Sequence, residues 1–183
     1  MLWSVDLRLT SHLLCRSATV LLCCLLVPRV LAQSPAECAS AQSLTQIAHQ
    51  LIEAIATLSD YEVTLDLPPL FEMPQHMLEA KVCEQPCNVS AAYIPREGIY
   101  LAANLDPVRE QLDRAVLLHE LVHYLQQGHP KFAHLSGCAR ERAKELEAYA
   151  IQNAYLASCG SSRRVTLYDG ELDCEWDAGA TSR

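Results

Sequence analysis

The chain has 183 residues, with 14 Lys plus Arg against 22 Asp plus Glu and a formal net charge of −8. No basic stripe is present, so neither nucleic acid nor an anionic lipid surface is an expected partner. The nine cysteines and the uneven spread of apolar residues carry more information than the charge.

Residues 1–32 read as an export signal. Arg8 and Arg16 precede a ten-residue apolar core, Ala18 to Val27, which Pro28 breaks. Val30-Leu31-Ala32 then offers a cleavage site before Gln33. Ten apolar residues are few for crossing a bilayer. No stop-transfer segment follows, so a signal anchor is the weaker reading and no stable membrane insertion is expected after cleavage. Cys23 lacks the small preceding residue of a lipoprotein attachment site. The expected location is secreted or periplasmic. The remainder, residues 33–183, has the length of a single domain able to bury a core. Arg8, Arg16, Arg29 and Asp6 fall before residue 33, which leaves 11 basic against 21 acidic residues and a charge of −10.

Six cysteines follow the signal: Cys38, Cys83, Cys87, Cys138, Cys159 and Cys174. An even number in an exported chain points to three disulfides. A cysteine zinc cluster is disfavoured because no C-x-x-C pair occurs. Cys138 and Cys159 would sit at opposite ends of one predicted helix, roughly 30 Å apart, too far to bond. The expected pairs are Cys83–Cys87, Cys159–Cys174 and, by remainder, Cys38–Cys138.

A first helix is predicted from Ser34 or Pro35 to Leu58, because Leu44, Ile47, Leu51, Ile55 and Leu58 recur in steps of three and four. His49 falls beside that stripe and reads as a packed or surface residue. Tyr61 to Leu67 alternates apolar and polar side chains, as a half-buried strand does, and Pro68-Pro69 ends it. Phe71 to Asn88 reads as an irregular connection. Ala91–Ile94 and Ile99–Ala102 flank Pro95-Arg96-Glu97-Gly98, a reversing loop between the strands of a β-hairpin.

The next helix should be capped by Asp106, with Pro107 in its first turn and Gly128 as its stop. Val108, Leu112, Ala115, Leu118, Val122 and Leu125 form its apolar stripe. Within it lies His119-Glu120-Leu121-Val122-His123. His119 and His123 are one helical turn apart, so both imidazoles leave the same face, a spacing that suits two corners of a tetrahedral Zn²⁺ site. Glu120 points to one side, where it can reach a water on the metal without being a ligand itself. The competing reading is a core helix with two incidental histidines. It leaves three ionisable groups in an apolar run with nothing to offset their burial.

The last long helix, about Ser136 to Ser158, offers Glu141, Glu145 and Glu147 as the third ligand. Glu141 and Glu145 have mostly polar neighbours at helical spacing, whereas Glu147 lies among Ala143, Ala150 and Ile151. A carboxylate on an apolar side needs a compensating partner, which makes Glu147 the predicted ligand. An ion pair of Glu147 with Lys144 or Arg140 is the plainer alternative. Val165 to Tyr168 is the strand-like run of the tail.

His119-Glu120-x-x-His123, followed by Glu147 on a separate helix, resembles the gluzincin arrangement of zinc peptidases. The segments Leu118–Gln126 and Glu147–Gln152 are also similar to small exported bacterial domains of undefined function with predicted peptidase activity. The resemblance covers roughly residues 93–156. It implies a zincin-like α+β domain in which two long helices carry the ligands and a small antiparallel sheet covers one side, stapled by disulfides. It further implies one Zn²⁺ on His119, His123 and Glu147, Glu120 as general base, and hydrolysis of a peptide or protein substrate. By the same analogy, Gly98–Ala102 would be an edge strand that holds the peptide. Thermolysin-like members carry an Asp four residues after the ligand Glu, and here that place is Ile151, so the ligand histidines must be oriented by other groups. Tyr149, Tyr155, His129 and His134 are open candidates for an oxyanion donor, none singled out. The alternatives are a non-catalytic zinc-binding domain and a metal-free, disulfide-stapled interaction domain. Glu120 beside the histidines favours catalysis over structural zinc, which takes four closed ligands and no spare carboxylate.

Overall fold

The computed structural model describes residues 43–166, apart from 65 and 86. The expected export signal therefore lies outside the described residues, as do Cys38, Cys174 and half of the strand-like run in the tail. The elements run α1 (Leu44–Leu58), β1 (Leu70–Met73), α2 (Gln75–Val82), β2 (Ala91–Ile94), β3 (Gly98–Ala102), α3 (Gln111–Gln126), a short 3₁₀ turn (Pro130–Phe132) and α4 (Gly137–Ser158). The class is α+β, with two long helices late in the chain, as expected.

Helix α1 begins at Leu44, the first residue of its apolar stripe, and not at the expected Ser34 or Pro35. Ser43 caps it through a reciprocal pair: its Oγ accepts from the Gln46 amide, and the Gln46 side chain accepts from the Ser43 amide. Ile47, Leu51, Ile52 and Ile55 then point into the core.

The sheet departs from expectation in three ways. Tyr61 to Leu67 contains no strand among its described residues; Tyr61 instead turns its ring inward. The strand begins after the two prolines, at Leu70, and runs into the stretch read as irregular from Phe71; α2 follows it directly from Pro74. Proline lacks an N–H but keeps its carbonyl, and the Pro69 carbonyl accepts the Ile99 amide at 2.8 Å, opening the ladder. The sheet is also mixed, not antiparallel: β1 pairs parallel to β3, and β2 pairs antiparallel to it. Finally, the strand order is β1-β3-β2, so Gly98–Ala102 is the central strand and has no edge to offer. Among the described residues, the strand with an unpaired edge beside α3 is β2.

The β2–β3 hairpin matches the sequence reading. Arg96 and Gly98 both take positive φ (70° and 143°) to reverse the chain. A side chain at position 98 would bring its Cβ to 2.3 Å from the Pro69 carbonyl oxygen, so only glycine admits β1 here.

Asp106 caps a separate turn and not the helix. Its carbonyl accepts the Arg109 and Glu110 amides, and its carboxylate accepts the Arg109 amide. The buried Arg114 guanidinium donates to the Pro107 and Val108 carbonyls, which fixes that turn against α3. The helix proper begins at Gln111 and stops before Gly128, which has φ 76°.

Helix α3 lies between α1, the sheet and α4 and is buried on nearly every side. Ala115, Leu117, Leu118, Leu121 and Val122 are all fully enclosed. The core is completed by Ile99 and Leu101 of β3 and by Ala148, Ile151, Tyr155 and Leu156 of α4. Beyond α4, the Asn153 side chain pairs with both backbone groups of Val165, at 2.7 and 2.8 Å, and holds the start of the tail. Cys83 and Cys87 form the expected disulfide. Cys138 and Cys159 are each disulfide-bonded as well. No helix among the described residues is long and apolar enough to cross a membrane.

Candidate metal centre

His119 and His123 leave the α4-facing side of α3 with their rings 4.7 Å apart and their Nε2 atoms 3.0 Å apart. The carboxylate that meets them is Glu145 of α4. Its Oε2 lies 3.2 Å from His119 Nε2 and its Oε1 lies 3.1 Å from His123 Nε2. One ligand atom from each of the three residues falls within 4.8 Å of the other two, a spacing that could hold a metal ion.

The structure brings Glu145, and not the predicted Glu147, to the two histidines. Two residues on an α-helix differ by about 200° around its axis, so Glu145 and Glu147 flank opposite sides of the buried face of α4. Glu145 faces the imidazoles. Glu147 faces the segment after α1 and the 3₁₀ turn, where its carboxylate is fully engaged. Lys131 Nζ is 2.5 Å from Oε1, and Oε2 accepts from the Tyr61 hydroxyl at 2.5 Å and from Gln126 Nε2 at 3.0 Å. The premise that a carboxylate on the apolar side needs a partner was sound. The partner is an ammonium group from a loop, assisted by two neutral donors. Lys131 also pairs with Asp60 at 2.7 Å.

Both imidazoles are oriented from behind. Gln152 Oε1 lies 3.2 Å from His119 Nδ1, and Gln126 Oε1 lies 2.9 Å from His123 Nδ1. Sequence reasoning gave neither glutamine a role. One signal was available: Glu145, Tyr149 and Gln152 stand at i, i+4 and i+7 and so share one face of α4. Tyr149 packs edge-on against the His119 ring, with centroids 4.6 Å apart.

The electrostatics ask for positive charge at the centre. An amide oxygen can only accept, so each Nδ1 facing one carries its hydrogen and each neutral ring turns its Nε2 lone pair inward. Those lone pairs face one another and the Glu145 oxygens, an assembly of acceptors that needs a proton or a cation between them. Burial raises the Glu145 carboxyl, but the His119 and His123 contacts outweigh it and hold the group down at about 2. Burial lowers His123, yet the Glu145 hydrogen bond and the nearby carboxylates leave it above its ordinary value. Two imidazoles and a carboxylate suit Zn²⁺ better than the hard cations that prefer oxygen alone. The residues present fit that ion.

Glu120 is only 8 % exposed and turns toward β2, where its Oε2 accepts the Tyr93 amide at 2.7 Å. In the antiparallel register, Ala102 donates to the Ser90 carbonyl, so the backbone groups of Ala91 and Tyr93 point away from β3. Glu120 thus binds the outer edge of the sheet. Two recesses open beside the cluster. One, of about 500 Å³, is lined by His119, Glu120, Tyr149, Gln152 and the Ala91-Ala92 edge. The other, of about 320 Å³, is lined by Tyr93, His123, Lys144 and Glu145. Among the open oxyanion candidates, Tyr149 lines the first recess, whereas Tyr155 is buried in the core and His129 packs on Tyr61. His134 is exposed.

Glu147 leaves a pH signature of its own. Burial raises its carboxyl, but Lys131, Tyr61 and Gln126 bring it below the ordinary 4.5. A carboxyl lowered by folding stabilises the fold above its unfolded pKa, and that stabilisation is lost as pH falls through the folded value. The stability gap between wild type and Glu147→Gln should therefore be widest near neutrality and close in acid. Urea midpoints of the metal-free proteins across that range test it, and a gap that does not change with pH would contradict the assignment.

Comparison of the chain with protein-family models, with curated proteins and with solved structures finds no match.

Proposed function

We propose that the chain is a zinc-dependent peptide-bond hydrolase that acts outside the cytoplasm. The observation that carries this reading is the convergence of His119, His123 and Glu145 on one point, with a further buried carboxylate, Glu120, on the same recess as His119. A Zn²⁺ held by those three residues would polarise a carbonyl and acidify a water in its open fourth position. Glu120 takes the proton of the attacking water and passes it to the leaving amine. The Tyr93 amide holds the Glu120 carboxylate in place for that transfer. Gln126 and Gln152 keep the imidazoles turned inward. An extended peptide lies along the outer edge of β2, between the two recesses, leaving the Tyr93 N–H to Glu120, the role that the central strand β3 cannot take. The spare carboxylate distinguishes this arrangement from a structural zinc site, in which the ligands close the coordination sphere.

The test is zinc content and peptide-library cleavage by the purified protein. The expected result is one zinc per chain and cleavage that stops on chelation and returns with Zn²⁺. A chain that binds no zinc, or binds it and cleaves nothing, overturns the proposal.

A further inference from the structure

We propose that Glu147, though not a ligand, is a positioning residue for the metal centre and acts through Gln126. The inference rests on the metal-site reading above and extends it to residues on the far side of the helix pair. Gln126 is only 2 % exposed, and both ends of its amide are engaged. Its Nε2 donates to the Lys144 carbonyl at 2.9 Å and to Glu147 Oε2 at 3.0 Å. Those two acceptors fix which end is nitrogen, because a flipped amide would set its oxygen against a carbonyl and a carboxylate. The Oε1 is therefore turned toward His123 Nδ1, 2.9 Å away. An acceptor there keeps the ring proton on Nδ1 and leaves the Nε2 lone pair for a cation. Lys131 and Tyr61 in turn hold the Glu147 carboxylate in its orientation. The chain of contacts thus runs from the Lys131 turn through Glu147 and Gln126 to one ligand imidazole. Carboxylate-to-histidine support is spread here over two side chains, with a neutral amide between them.

Two substitutions at position 147 separate positioning from plain support. Glu147→Gln and Glu147→Leu both remove the charge that pairs with Lys131. Only the glutamine retains an oxygen that can accept from Gln126 and Tyr61, which both donate to the same atom, Oε2. The measurements are the His123 ring tautomer by ¹⁵N-resolved NMR of the metal-free protein, taken above the imidazole titration, and zinc affinity by chelator competition. Glu147→Leu is expected to lose the single Nδ1–H tautomer and to bind zinc about ten- to a hundred-fold more weakly, the usual cost of losing a residue that orients a ligand. Glu147→Gln should keep the tautomer and most of the affinity, although its thermal stability falls with that of the leucine variant. A merely structural role would move both variants together. Gln126→Leu leaves the contacts of Glu147 with Lys131 and Tyr61 in place and should reproduce the loss, which covers the case of a Glu147→Leu protein that does not fold. Wild-type tautomer and affinity in Gln126→Leu would overturn the proposal. A wild-type protein that binds no zinc would overturn the metal reading and leave the tautomer measurement to decide the relay.

Discussion

Glu120→Gln is expected to bind zinc as the wild type does and to hydrolyse peptides about 10²- to 10⁴-fold more slowly, the range for a lost general acid–base group. The amide is isosteric and can still accept the Tyr93 N–H that the carboxylate accepts at 2.7 Å, so position and packing persist. Only the capacity to take a proton disappears. The effect should appear in kcat and not in KM, because Glu120 is assigned to proton transfer and not to substrate binding. Zinc titration alongside steady-state kinetics makes the comparison. Wild-type turnover in this variant would remove the proposed base, and a matched loss of zinc would mean that Glu120 supports the centre.

Glu145→Ala is expected to have the largest effect on metal binding of any carboxylate substitution in the chain. It takes away the one anionic donor, with its oxygens 3.1 and 3.2 Å from the two Nε2 atoms. The loss in zinc affinity should exceed the ten- to hundred-fold typical of residues that only orient a ligand. Glu147→Gln is the informative counterpart, since it should retain most of the affinity. Chelator competition on the two purified variants gives the order directly. Zinc binding lost with Glu147→Gln and retained with Glu145→Ala would restore the ligand set expected from sequence.

Much of the site was legible because it rests on local geometry. The i, i+4 histidines, the intervening Glu120, the hairpin and the two long helices follow from periodicities within a few turns of chain. The Cys83–Cys87 bond likewise needs only its own short spacing. What could not be read is the phase of α4 against α3. Judging a carboxylate by its neighbours on one helix places Glu147 on an apolar side and Glu145 on a polar one. Part of the polar surface around Glu145 is the site itself, with Tyr149 and Gln152 on the same face. The ammonium that satisfies Glu147 comes from Lys131, on a turn before the helix, and the hydroxyl comes from Tyr61, 86 positions earlier in the chain. The misplaced strand has a similar origin. Alternation in Tyr61–Leu67 mimics a half-buried strand, whereas the real one is selected by pairing to β3, which local pattern does not encode.

The enclosure of α3 has a consequence for how a cation would enter. Because the helix is wedged among α1, the sheet and α4 mostly by apolar side chains, with Gln126 and Gln152 behind its two rings, its imidazoles are held in place before any ion would arrive. Association of a metal ion would then not have to order the polypeptide, and less of the coordination free energy would be spent on folding. Such a site would stand apart from zinc fingers, in which capture of the ion and acquisition of the fold are a single event.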